Sequence, residues 1–86
     1  MSECNRIDCT NTAIWMIGFK VWAEGGLGSP AEAVTGIRVC DTCRPIVRLD
    51  ELLPDATWHQ IRAGFGEIGY APPDRASAQL TFSSLN

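Results

Sequence analysis

Apolar and polar positions alternate at the start of the chain. Over residues 13–22, Trp15, Ile17, Phe19 and Val21 make one wholly apolar face at a period of two. The segment is dense in β-branched and aromatic side chains, and no proline interrupts it. That period predicts a β-strand. The next eight residues hold Gly25, Gly26, Gly28 and Pro30, a concentration that suits a hairpin loop. Residues 33–40 then return with Val34, Ile37 and Val39, which predicts a second strand antiparallel to the first.

From Asp41 the period lengthens. Ile46, Leu49, Leu52 and Leu53 recur at helical spacing, Asp41 or Thr42 can cap the N-terminus, and Pro45 is tolerated in a first turn. Pro54 ends this helix. Asp55 offers a fresh cap for a second, amphipathic helix in which Trp58, Ile61, Phe65 and Ile68 form one stripe, expected to pack on the sheet. Gly64 and Gly66 weaken it by about 1 kcal/mol each relative to Ala, so it depends on that packing. Gly69 suits the position just past its C-terminus. Residues 78–82 alternate weakly, which predicts a short edge strand or a frayed tail. The chain divides into residues 1–53, a helix over 54–69 and a tail over 70–86, with no internal repeat.

Length and composition narrow the class. Eighty-six residues, 45% hydrophobic and 20% charged, are one folding domain, too small for a multi-domain enzyme and too apolar to be disordered. The formal charge of −3 supplies no bulk attraction for a phosphate backbone. The N-terminus has no basic stretch followed by an apolar one, and the apolar run over 13–22 is half the length of a spanning helix. A cytoplasmic protein without a membrane segment is therefore expected. In that reducing setting, four cysteines are metal ligands or redox groups rather than disulfides.

Those cysteines fall into two pairs with none spare. Cys4 and Cys9 form C-x4-C, and Cys40 and Cys43 form C-x2-C. Such spacings let one local loop aim two sulfurs at a common point, and the predicted hairpin brings both pairs together at its base. A structural Zn²⁺ held by four thiolates is the reading adopted. It lowers the formal charge of −3 to about −5, softened by Arg6 and Arg44. A structural zinc contributes an apparent 10 kcal/mol or more, against about 3–5 kcal/mol from so small a core, so metal is expected to decide folding. Four buried core thiols, an iron–sulfur cluster and a redox dithiol at Cys40 and Cys43 are the rival readings.

Knuckle, hairpin and then a helix carrying Cys40 and Cys43 at its start resembles the treble-clef class of zinc fingers, over about the first 53 residues. The resemblance implies an α+β fold with the second ligand pair in the first helical turn, where the helix dipole favours thiolate. The C-x4-C spacing and the long hairpin also fit a zinc-ribbon-like arrangement.

Catalysis is not expected. Four cysteines close a zinc site that a catalytic centre would keep open. His59 lies off the apolar stripe and reads as solvated, and the Gly25–Gly28 segment lacks the Lys-Ser/Thr of a phosphate loop. Three binding functions remain. The first is a protein-interaction module, with Ile14, Met16 and Trp22 on the strand's second face as anchors, including a homodimer. The second is a nucleic-acid-binding finger, the common association of treble-clef look-alikes, using a basic stripe of Arg38, Arg44, Arg48 and Arg62 in which Arg44 and Arg48 lie one helical turn apart. The third is a small acidic inhibitor that occupies a basic nucleic-acid groove on another protein, as some phage-encoded inhibitors do.

Overall fold

The computed structural model describes residues 3–25 and 28–85. Gly26 and Leu27 of the expected hairpin loop, the first two residues and Asn86 lie outside the described residues. The fold is α+β, an antiparallel sheet with two helices. Strand β1 (Trp15–Ala23) is central. Strand β2 (Ala31–Val39) pairs along one side of it. Its other side is shared by two strands that come later in the chain, β3 (Tyr70–Ala71) against its end and β4 (Leu80–Ser84) against its start. The weak alternation over 78–82 suffices for a strand because β1 offers it an open edge.

The β1–β2 register shifts midway. Trp15 faces Val39 and Met16 faces Arg38, but Gly18 faces Val34. The slack is taken up at Thr35–Ile37, where Gly36 takes a φ of 80°, open to glycine at no steric cost. Thr35 bridges the gap: its hydroxyl donates to the Ile17 carbonyl at 2.8 Å and accepts the Ile37 N–H at 3.0 Å. The shift changes which residues face the core. Ala33 is buried, whereas Val34, expected among the apolar positions of this strand, is 69% exposed.

The core lies on the β1 face predicted from alternation. Ile17, Phe19 and Val21 are fully buried there, and Trp15 is half-buried. Helix α2 (Asp55–Glu67) covers that face. Its Trp58 packs on Phe19 with ring centroids 5.4 Å apart, and Phe65 approaches Phe19 edge-on at 6.4 Å. Ile61 is half-buried beside them. The stripe ends sooner than expected: Ile68 is 66% exposed, because the helix stops at Glu67 and the chain reverses at Gly69, φ 86°.

The first predicted helix is much shorter than its periodicity suggests. Helix α1 is a single turn, Leu49–Leu52, and residues 41–46 are a run of turns. Arg44 N–H donates to Cys40 and Val47 N–H to Cys43 in helical fashion on either side of Pro45, but Arg48 is extended, with φ −133° and ψ 146°, so these turns do not run on into α1. The cysteine pair therefore precedes α1 instead of lying in its first turn, where the treble-clef resemblance placed it. Arg75, in a 3₁₀ turn (Arg75–Ser77), donates to the Leu53 carbonyl and pairs with Asp55, tying α1 to α2. Among the described residues, no helix is long and apolar enough to cross a membrane.

Candidate metal centre

Cys4 and Cys9 sit on a short loop closed by an antiparallel bridge between Glu3 and Thr12 and by the Cys4 N–H donating to the Asn11 carbonyl at 2.9 Å. Inside it, the Cys9 N–H donates to the Arg6 carbonyl, and Asp8 takes a φ of 62°, which turns the chain back. Asn5 fastens the loop to the end of β2: its N–H donates to the Arg38 carbonyl, and its side-chain oxygen accepts the Arg38 N–H. Cys40 follows β2 directly. The two pairs, 31 residues apart at their nearest members, thus meet at one end of the sheet.

All four sulfurs lie within 4.8 Å of one another. Cys9 Sγ is 3.7 Å from both Cys40 Sγ and Cys43 Sγ. A disulfide would need about 2.05 Å, and all four cysteines are free. A tetrahedron of thiolates with metal–sulfur bonds of about 2.3 Å has edges of about 3.8 Å, so the spacing fits a metal. Cys4, Cys40 and Cys43 are buried and Cys9 is half-buried. The donor set is complete without water or histidine; His59 lies elsewhere, exposed on α2.

Hydrogen-bond donors surround the sulfurs. The Asn11 amide donates to Cys40 Sγ at 3.6 Å, and the Arg6 guanidinium reaches Cys43 Sγ at 3.8 Å while its Nε donates to Glu51 at 2.6 Å. Arg6 therefore ties the loop to α1 and places positive charge beside the cluster, as its nearness in sequence suggested. Arg44 does not. Its guanidinium stacks over Trp15 at 4.6 Å. Asn11 was missed; its signal is an amide donor two residues beyond a ligand cysteine.

The thiols titrate unequally. Burial raises Cys40, but the Cys43 backbone N–H and the Asn11 amide outweigh it and bring the thiol down to about 6. Burial and the hydrogen bond to Cys40 push Cys43 up to about 12, against the pull of Arg6. The Asn11 backbone N–H lowers Cys9, yet desolvation and contacts with Cys4 and Cys40 leave it raised. Crowded sulfurs cannot all ionise together unless a cation sits among them.

The other site candidates are dispersed. Ile14, Met16 and Trp22 are half-buried on the second face of β1 rather than projecting freely. Arg48 donates twice to Asp50, at 3.0 and 3.1 Å, and because its own backbone is extended it does not share a helical turn with Arg44. Apolar side chains project at several places, among them Val34 on β2 and Ile68 after α2, and two lie on the cysteine loops: Ile7 is 85% and Ile46 57% exposed. No protein-family model matches this sequence, and neither a curated protein nor a solved structure gives a significant match.

Proposed function

We propose that the chain is a non-catalytic module built on a structural zinc ion, which holds Cys4, Cys9, Cys40 and Cys43 and works by binding a protein partner. The observation that carries the metal assignment is the sulfur spacing, 3.7 Å from Cys9 to two of its neighbours. Zinc suits an all-thiolate, closed, mostly buried set, and such a site organises structure instead of activating water. Two local loops holding two ligands each also favour a single ion over an iron–sulfur cluster.

The partner class rests on surface chemistry. Ile7 and Ile46 project from the two loops that carry the ligands, so the metal that orders the loops also presents them. Four of the seven basic side chains are engaged, Arg6, Arg48 and Arg75 by carboxylates and Arg44 by Trp15, and a chain of net −3 offers a nucleic acid no bulk attraction. Metal analysis of the purified protein should give one zinc per chain, and chelation or Cys43→Ser should cost the cysteine end its order. A fold unchanged without metal overturns the zinc assignment. Salt-dependent binding to DNA or RNA overturns the protein-partner assignment.

A further inference from the structure

A second feature lies at the far end of the sheet. β1 starts beside the cysteines, where Trp15 pairs with Val39, and ends at Ala23, about 27 Å away at about 3.4 Å per residue of antiparallel strand. There a cleft of about 390 Å³ opens between α2 and β3. Its walls are fixed by main-chain bonds: Ala23 pairs with Tyr70, Trp22 pairs with Ala71, and the Glu24 N–H donates to the Gly69 carbonyl at 2.8 Å. Tyr70 is steadied by an edge-on contact with Phe65 at 6.4 Å. Gly66 on α2 contributes no side chain to fill the space.

Glu24, His59 and Arg62 line this cleft together with Tyr70 and Pro72. Elsewhere in the molecule Arg6, Arg48 and Arg75 pair with carboxylates. Here Arg62 and Glu24 share one cavity without pairing with each other, and neither side chain has another partner among the described residues. His59 and Arg62 are three apart on the helix and so lie on one side of it. An unpaired cation and an unpaired carboxylate leave the cleft with no net charge while offering both signs. That complements a ligand which also carries both. Tyr70 and Pro72 add a flat apolar wall. The volume is near the lower end for small-molecule sites.

We propose that this cleft binds a small zwitterion of the amino-acid class with a flat side chain. Arg62, joined by His59, takes the carboxylate; Glu24 takes the ammonium; Tyr70 and Pro72 take the side chain. A planar guanidinium matches a carboxylate two-pronged. This site shares no residue with the cysteine cluster and does not depend on the zinc assignment.

The test is an amide-resolved NMR titration of the full chain, purified with whatever metal it carries. L-phenylalanine is the probe, and 3-phenylpropionate and 2-phenylethylamine each lack one of its charges. A dozen or so heavy atoms at ordinary ligand efficiency correspond to a dissociation constant on the order of 1 mM. L-phenylalanine should give saturable shifts at Glu24, His59, Arg62, Gly66 and Tyr70. Each analogue, and each of Arg62→Gln and Glu24→Gln, should bind about tenfold more weakly. Both variants alter exposed side chains, and a dispersed amide spectrum shows that they fold. The proposal is overturned if L-phenylalanine fails to saturate by about ten times the expected constant. It is equally overturned if 3-phenylpropionate or inorganic phosphate binds the same residues as tightly, or if Arg62→Gln binds unchanged. Metal content, measured on the same sample, tests the cysteine centre separately.

Discussion

The two ends of β1 are held by different forces. At the helix end, Phe19 is fully buried against the rings of Trp58 and Phe65, and Ile17 and Val21 flank it in the core. At the cysteine end, the loops are held by main-chain hydrogen bonds, by donors aimed at sulfur and by the Arg6–Glu51 pair, while Ile7 and Ile46 face outward. Ordering backbone costs about 1–2 kcal/mol per residue, and burial of aromatic side chains offsets it at one end. Besides sulfur, the cysteine loops bury one large apolar side chain, Val47. On the proposed reading, one small domain therefore joins a part that packing can hold to a part that an ion would hold.

Metal removal is the largest way to expose this difference. A structural zinc is worth an apparent 10 kcal/mol or more at neutral pH. Chelation should abolish amide-exchange protection at Cys4, Asn5, Cys9, Arg44 and Val47, while protection around Phe19, Val21 and Trp58 falls less. Loss at Trp58 before Cys4 would break the comparison. The matching lesion at the other end is Phe19→Ala, expected to cost about 3–5 kcal/mol by urea denaturation and to leave one metal per chain.

The same division governs what could be read from the sequence. Alternation exposed the buried face of β1, and period exposed α2, because in both the residues that pack are also the residues that set the pattern. Asp55, expected to cap α2, is instead its first residue, after Pro54 at the N-cap, and pairs with Arg75. The grouping of cysteines followed from short spacings on either side of a hairpin. What could not be read depended on single residues. Arg48 takes an extended backbone, and this splits a helix that Ile46, Leu49 and Leu52 advertise by their spacing. Gly36 and the Thr35 hydroxyl absorb a register shift that turns Val34 outward. The pairing of β4 with β1 is a tertiary choice that residues 78–82 encode only weakly.

Smaller lesions probe the sheet and the helix. A Cβ added at Gly18 would sit 2.7 Å from both the Ala33 carbonyl oxygen and the Thr81 hydroxyl and 3.0 Å from Glu32, across a 2.6 Å hydrogen bond between Thr81 and Glu32. Gly18→Ala should therefore lower stability by about 1–3 kcal/mol in urea denaturation, despite Ala's lower unfolded-state entropy. Gly64→Ala should do the opposite. A Cβ there meets nothing within 4 Å, and removing helix-interior glycine should raise stability by about 0.4–1 kcal/mol, seen as a higher thermal midpoint.

The finest distinction between the two ends is protonic. The aromatic core around Phe19 has no titrating group, so the cost of Phe19→Ala should not vary with moderate changes of pH. The cysteine end should vary. At pH 7, Cys40, lowered to about 6, is mostly thiolate, whereas Cys43, raised to about 12, and Cys9, also raised, are thiols. Metal ligation needs thiolates, so zinc binding at pH 7 should release at least two protons. Affinity should rise with pH through neutrality and fall more steeply below about 6, where Cys40 also takes a proton. The metal-free fold obeys the same signs. The depressed Cys40 adds stability above its ordinary value of 9.0, and this is lost as pH falls through about 6. The raised Cys43 favours the fold below 9.0, and that contribution is lost as pH climbs towards about 12. Calorimetric zinc titrations in two buffers of different ionisation heat count the protons directly. A release below one proton would mean that the sulfurs are already charged without metal, and the cysteine end would then need no ion to relieve its crowding.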